Sequence, residues 1–225
     1  MNQRRIQIYV GVVVTLAIGS AALQLQNWGS MADLFMDSQG PEWNHIIGWL
    51  ALLALGLMAE TLTLSIKVGR SKSSTNPINS LTLLTSILLF GPAPTVLFWG
   101  ITGIVGEFLI RRKEAIRAIF NSAQYVLATS VAGWAYSGFG GEALIRVDNL
   151  DLLKEQIWAD LLPFIAFGVV FLLVNHTAVS LAIALSEDTE PRKVLGTLAG
   201  RTGTNLLYDL FISPIAIAVA ILYMH

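Results

Sequence analysis

Long apolar runs alternate with short polar stretches along the whole chain, and the length of the runs is the main structural signal. Seven runs stand out, at residues 6–25, 45–66, 78–90, 95–110, 116–137, 157–185 and 205–223. A run of about 18 or more apolar residues is long enough to cross a bilayer as a helix. The pattern therefore predicts an all-α integral membrane protein in which residues 1–225 form a single transmembrane domain.

The third run is the shortest, and Gly91-Pro92-Ala93-Pro94 joins it to the fourth. Proline lacks a backbone N–H and clashes with the preceding turn, so a helix cannot continue through this stretch. The two runs are therefore predicted to form a tight helical hairpin. Whether the hairpin crosses the bilayer fully or re-enters, it returns the chain to the same side.

Basic residues are concentrated in one set of loops. Twelve of the 14 Lys and Arg residues lie before the first run or after the second, fourth and sixth, which a seven-span arrangement places on one side. Because cytoplasmic loops are enriched in Lys and Arg, the N-terminus is predicted to be cytoplasmic and the C-terminus extracytoplasmic. Arg4 and Arg5 would also suit a cleaved signal peptide, but the long first run and the six that follow favour a retained helix.

The composition narrows the range of functions. With 54% hydrophobic and 13% charged residues, the chain is not a water-soluble enzyme. The absence of cysteine removes disulfides and thiolate chemistry, and three histidines leave little for a metal site. A formal net charge of −1 argues against a nucleic-acid partner. No phosphate-binding loop, catalytic triad or paired-acid motif is present, so the sequence predicts a non-enzymatic protein without a metal or cofactor.

Polar residues inside the runs concentrate toward the predicted cytoplasmic ends. An ionised carboxylate at mid-membrane costs roughly 2.5–3.5 kcal/mol, so carboxylates there are predicted to face the bundle interior and find partners. Glu107 is predicted to pair with Arg111 one turn later. Seven further side chains are candidates for ligand binding or signal relay: Glu60, Asn121, Gln124, Asn175, His176, Asn205 and Asp209.

Two interpretations of this polar layer stay open. The layer either joins helices by hydrogen bonds and fixes one packing, or it lines a cytoplasm-facing cavity or relays a signal. His176 is either a pH-sensitive group or a hydrogen-bonded core histidine.

Aromatic residues mark the opposite side of the predicted spans. All six tryptophans lie near or beyond the outer third, where an interfacial belt is expected. Trp49, Trp99 and Trp134 lie a turn or more inside their runs. They are therefore candidates for an aromatic pocket that binds a planar apolar ligand.

Several short motifs occur in an order that resembles a known family. They are Ala59-Glu60-Thr61-Leu62, Asn79-Ser80-Leu81-Thr82, Leu88-Leu89-Phe90-Gly91-Pro92, Phe120-Asn121-Ser122-Ala123-Gln124-Tyr125 and Val174-Asn175-His176-Thr177. The order resembles the bacterial membrane sensor domain found ahead of HD-GYP phosphohydrolase and GGDEF cyclase domains. That domain is similar in fold to the S components of energy-coupling-factor vitamin transporters.

The resemblance covers roughly residues 49–223 and implies a function as well as a fold. It implies an inner-membrane helical bundle that binds a small molecule or senses the membrane and passes its state to a cytoplasmic signalling domain. Glu60, Asn121, Gln124 and Asn175 match the family's recurrent polar positions. In that family a further helix follows the position of Tyr223, so the chain is interpreted either as a sensor module without its output domain or as a free-standing relative.

The leading hypothesis is a non-enzymatic sensory or ligand-binding module of a bacterial signalling system. One alternative is a small-molecule uptake subunit similar to an S component, which would need a separate ATPase. Another is a structural subunit of a larger membrane complex, with small-residue helix faces as partner surfaces. The expected partners are the lipid bilayer, a small apolar or planar ligand, and a cytoplasmic signalling domain or other membrane subunits.

Overall fold

The computed structural model describes residues 2–26, 32, 34–37, 40–61, 64–68, 71–75, 77–147 and 150–224. Within these ranges, the side chains of residues 2, 37, 64–68, 71–75, 77–78, 150–151 and 197–211 lie outside the described part. Asn205 and Asp209 fall in the last of these segments, so their predicted inward-facing side chains lie outside the described residues.

Eight α-helices make up most of the described chain. They are α1 (Asn2–Leu25), α2 (Trp43–Thr61), α3 (Pro77–Phe90), α4 (Pro92–Ile104), α5 (Ala115–Gly138), α6 (Leu150–Ala159), α7 (Leu161–Glu187) and α8 (Pro191–Met224). A π-helical segment, Val105–Ile110, continues α4, and a short 3-10 helix covers Leu144–Arg146. Two antiparallel hairpins, β1 (Met36–Asp37) with β2 (Gly40–Pro41) and β3 (Leu64–Val68) with β4 (Ser71–Thr75), complete the structure.

The short helix α3 lies at the centre of the bundle. Every residue from 82 to 90 is buried, as expected for a helix surrounded by other helices. It packs against α2, α4 and α8. The chain then turns at Gly91, whose φ of 74° lies in the left-handed region that glycine adopts easily, and α4 begins at Pro92. The helix therefore breaks where the Gly-Pro sequence predicts.

The long helix α5 packs against α1, α4 and α7. Its inward faces carry small and polar side chains that are buried, including Ala128, Thr129 and Ser130. Small residues let neighbouring helices approach closely. The buried Thr129 hydroxyl is satisfied within α5, because it donates to the Tyr125 carbonyl at 2.8 Å. This composition explains why α5 is a core helix although it is less apolar than α4 and α7.

Contacts between helix ends show which loops share an end of the bundle. The Tyr9 ring near the start of α1 packs against the Phe120 ring near the start of α5, and the Tyr9 hydroxyl donates to the Ala178 carbonyl late in α7. Arg111, just before α5, pairs with Glu60 at the end of α2. The basic loops therefore gather at one end, here called the inner end. Tyr223 at the end of α8 donates to the Asn44 carbonyl at the start of α2, at the opposite, outer end.

Helix α2 ends earlier than predicted. The apolar run at 45–66 was expected to stay helical to its end, but α2 stops at Thr61 and residues from Leu64 form strand β3. In Leu64-Ser65-Ile66-Lys67-Val68 apolar and polar residues alternate with the period of a strand. The helical expectation for residues 64–66 was wrong, because it considered the hydrophobicity of these residues and not its period.

Two other boundaries differ from the predicted runs. The run at 157–185 is interrupted at Asp160, which separates α6 from α7. The run at 205–223 belongs to a longer helix, α8, which begins at Pro191 and contains Pro214. Apolar content alone does not mark either boundary. A single polar residue such as Asp160 does not end an apolar run, and a helix such as α8 can extend beyond its apolar part into polar sequence.

Four helical stretches of the described chain are long and apolar enough to cross a membrane: Gln3–Leu25, Trp43–Thr61, Pro92–Ile110 and Leu152–Glu187. Asn79–Phe90 and Ile212–Met224 are apolar but shorter. The helix at the predicted run 116–137 is not among the four. The structure supports an all-α membrane protein, and the count of seven spans stays a prediction.

The predicted orientation can be tested by single cysteine substitutions, because the chain has no cysteine of its own. Lys193 at the inner end and Glu142 at the outer end are both exposed. A membrane-impermeant maleimide added to intact cells is expected to label Glu142→Cys and not Lys193→Cys, and lysis should expose the latter. Labelling of Lys193→Cys alone in intact cells would reverse the orientation.

Close packing between α2 and α4 can be tested at Gly56. A Cβ atom there would lie 2.7 Å from the buried Phe98 ring and 3.3 Å from Thr102 Cγ2. Overpacking of this kind costs about 1–3 kcal/mol, more than the helix propensity gained from alanine, so Gly56→Ala is expected to lower the thermal midpoint in detergent. Gly168→Ala is the matched control, since no atom lies within 4 Å of that Cβ position. Equal midpoints for both variants would contradict the packing.

Candidate functional site

Six polar and charged side chains meet at the inner end of the bundle and form what we call the inner cluster: Glu60, Asn79, Glu107, Arg111, Lys113 and Asn121. They come from α2, α3, the π-helical segment, the loop after it, and α5. The cluster therefore joins four consecutive helices of the chain, α2 to α5.

Glu60 occupies the last turn of α2 and is buried. Its carboxylate packs against Gly106, where a Cβ atom would lie 2.9 Å from Glu60 Cγ and 3.1 Å from Oε2. Only glycine leaves this space, because any other residue would displace the carboxylate. Asn79 in the first turns of α3 donates its amide Nδ2 to Glu60 Oε1 at 2.5 Å.

Arg111 bridges the two buried carboxylates. Its two terminal nitrogens lie 2.5 Å from Glu60 Oε2 and 2.6 Å from Glu107 Oε1. The Tyr125 hydroxyl on α5 is a further hydrogen-bond partner. A planar guanidinium can serve several acceptors in fixed directions, which a lysine ammonium on the same stem cannot reproduce.

The π-helical segment places Glu107 and Arg111 on the same side. Residues 105–110 adopt wider turns, and the Arg111 N–H donates to the Gly106 carbonyl, five residues earlier, at 2.8 Å. Turns of this type are rare and occur often at functional sites. Glu107 pairs with Arg111, as its spacing predicts, and is only 1% exposed.

The loop after the π-helical segment folds back over Glu107. Arg112 adopts a φ of 48°, a left-handed conformation that is uncommon for a residue with a side chain. This turn brings the Lys113 ammonium within 2.8 Å of Glu107 Oε2. Asn121 on α5 donates Nδ2 to the same oxygen at 2.8 Å. Both carboxylate oxygens of Glu107 are thus occupied by donors.

The cluster contains two carboxylates and two cations, so its formal charges balance. Glu60 and Glu107 lie near helix C-termini, where the helix dipole disfavours negative charge and favours Arg111 and Lys113. Burial lowers the pKa of Arg111, but Glu60 and the other acidic neighbours outweigh burial and raise it above its usual value. Arg111 therefore remains a cation at any physiological pH.

Three further inner candidates with described side chains, Gln124, Asn175 and His176, lie outside the cluster. Gln124 on α5 is buried and Asn175 on α7 is half-buried. The amide oxygens of both side chains are buried without a hydrogen-bond partner in the described part of the chain. His176 is half-buried on α7. The sequence thus identifies Glu60 and Asn121 as cluster members, and it leaves out Asn79, Arg111 and Lys113 as functional candidates.

The three candidate pocket tryptophans have different surroundings. Trp49 packs edge-on to Phe35 and donates to the Pro94 carbonyl at 3.3 Å. Trp99 is buried against Tyr125, with ring centroids 5.2 Å apart. Trp134 is 42% exposed. In the described part of the chain, no two of these three rings are in contact. Their role as a ligand pocket stays a prediction.

A second buried polar group, which sequence reasoning missed, lies at the outer end. Asp160, 1% exposed, sits between α6 and α7. Its carboxylate accepts from Gln156 Nε2 at 3.0 Å and from the Glu142 backbone N–H at 3.2 Å. Tyr136 on α5 donates its hydroxyl to the Glu142 carbonyl at 2.8 Å. The available signal was an acidic residue near the start of the apolar run at 157–185.

The comparisons with known proteins agree with a membrane sensor. The model of the MASE9 family, a family of membrane-associated sensor domains, matches residues 41–225. This match covers most of the chain, and the chain therefore belongs to the MASE9 family. No curated protein and no solved structure matches it.

Removing the bridging cation should destabilise the inner cluster. Arg111→Gln leaves Glu60 and Glu107 with Lys113 as their remaining cation in the cluster, and breaking a buried pair typically costs about 3–5 kcal/mol. We expect a lower thermal midpoint in detergent and a large recovery in the charge-balanced double variant Glu60→Gln/Arg111→Gln.

Arg117→Gln is the matched control for this experiment. Arg117 pairs with Glu114 at 3.4 Å, but both side chains are more than 70% exposed, so the loss should be below about 1 kcal/mol. Strictly additive losses in the double variant would show that Glu60 and Arg111 do not interact.

Proposed function

We propose that this MASE9 chain is a non-enzymatic sensory module in which the inner cluster relays the state of the membrane-embedded helices to a cytoplasmic signalling protein or domain. The observation that carries the proposal is the bridge from Arg111 to both Glu60 and Glu107. Through this bridge the ends of α2 and α4 are held at one relative position.

The bridge suits a relay because it resists intermediate positions. If α2 moves relative to α4, the Glu60 carboxylate loses its guanidinium partner while it is still shielded from water. A buried charge without a partner costs several kcal/mol, so the pair is either joined or fully separated and hydrated. An arrangement with two discrete states is what switching between helices requires.

The loop beside the cluster is the natural output surface. Arg112 and Glu114 are exposed, while their neighbours Arg111 and Lys113 contact the buried carboxylates. A change in the cluster therefore moves a segment that a cytoplasmic partner can contact directly. The predicted cytoplasmic position of this loop rests on the distribution of basic residues.

Cross-linking in native membranes tests the proposal. A photoreactive amino acid replaces Glu114 at the inner loop or, as a matched control, the exposed Glu142 at the outer end. We expect Glu114 to cross-link to a cytoplasmic signalling protein, or to a signalling domain of a longer native chain, and Glu142 to give no such product.

The same cross-link reports on the relay. Adding Glu60→Gln, which removes one charge of the bridge, should change the cross-link yield at least twofold, whereas Gly168→Ala on an open face of α7 should leave it unchanged. Normal insertion of Glu60→Gln with an unchanged yield, or the absence of a signalling partner at Glu114, would refute the proposal.

A further inference from the structure

An open apolar groove runs along the surface between α1, α5 and α7. Its volume is about 370 Å³. The floor contains Val13, which is 3% exposed, and the walls carry Val12, Leu16 and Leu173, which are 50%, 53% and 63% exposed. Tyr9 lines the inner part of the groove, and its hydroxyl donates to the Ala178 carbonyl at 2.9 Å.

The groove is short enough to fit within one half of a bilayer. It extends along α1 from Tyr9 to Leu16, which is about 10 Å at 1.5 Å per residue. One leaflet of the hydrocarbon core is about 15 Å thick. With the basic residues of α1 at the inner end, the groove lies at the depth of the inner leaflet's acyl chains.

A cation continues the groove toward the inner surface. Arg5 precedes Tyr9 by four residues, so it lies one turn away on the same stripe of α1 as Tyr9, Val12 and Leu16. Its side chain is exposed, and no carboxylate is recorded within ion-pair distance of it in the described part of the chain. A phospholipid phosphate lies at this level when its acyl chain fills the groove.

We propose that this groove binds one acyl chain of an anionic phospholipid, whose headgroup contacts Arg5. The apolar walls supply the contact for the chain, and the guanidinium complements the negative headgroup. A second copy of this chain would also cover an apolar face. It would, however, bring its own Arg4 and Arg5 to the inner surface, and these cations do not complement the positive charge of the exposed Arg5. The proposal does not depend on the inner cluster acting as a relay.

Native mass spectrometry of the purified chain tests the proposal. The chain in detergent is titrated with phosphatidylglycerol and with phosphatidylcholine of the same acyl chains, and we expect tighter binding of phosphatidylglycerol. Arg5→Gln should weaken phosphatidylglycerol binding about fivefold, the loss expected for one cation near the headgroup. Arg4→Gln is the matched control, since Arg4 points about 100° away around α1 and should change the affinity less than twofold.

A second pair of variants tests the groove itself. Leu16→Trp places a bulky ring in the groove and should weaken the binding of both lipids, whereas Ile18→Trp, at a 66% exposed position on another face of α1, should not. Circular dichroism is used to check that each variant is folded. If Leu16→Trp does not fold, Val12→Phe replaces it as the variant that fills the groove. Equal binding of the two lipids, or equal effects of Arg4→Gln and Arg5→Gln, would overturn the headgroup assignment. Loss of an oligomer without loss of lipid in Leu16→Trp would assign the groove to a second copy.

Discussion

Two carboxylates buried in an apolar chain impose the arrangement of the inner end. Glu60 and Glu107 sit on different helices near their C-termini, where both desolvation and the helix dipole disfavour an anion. Each is tolerated only where a cation reaches it, and Arg111 reaches both. A buried ion pair of this kind adds little net stability compared with apolar packing. What it fixes is the relative position of α2 and α4.

The sequence predicts local features of this arrangement and misses those that depend on tertiary contacts. Apolar runs predict the helices, Gly91 and the prolines beside it predict the break before α4, and the four-residue spacing predicts the pair of Glu107 and Arg111. The bridge to Glu60 joins residues 51 positions apart, so no local pattern reports it. The bend of residues 111–113 over Glu107 is also invisible in the sequence, because it depends on an unusual backbone conformation at Arg112.

The two ends of the bundle are held by different kinds of interaction. At the outer end, Asp160 is held by neutral donors from Gln156 and the Glu142 backbone, above a core formed by the fully buried face of α3. Dispersion contacts weaken within about an ångström of separation, so this end depends on close packing. At the inner end, charged pairs act over longer distances, but a buried charge that loses its partner costs several kcal/mol. The outer end is therefore held by close contact and the inner end by charge pairing.

Helix α5 links the inner cluster to α1. Adjacent residues of α5 face in these two directions: Phe120 packs on Tyr9 of α1 with ring centroids 5.9 Å apart, and Asn121 donates to Glu107. All of α1 lies before residue 41, where the family match begins. It is nevertheless fixed to α7 through Tyr9 and to α5 through Gln24, which donates to the Ser130 carbonyl at 3.1 Å. A displacement of α1 against α5 therefore acts on a residue whose neighbour binds the cluster. Two adjacent residues of α5, Phe120 and Asn121, therefore connect α1 to the buried charges of the inner cluster.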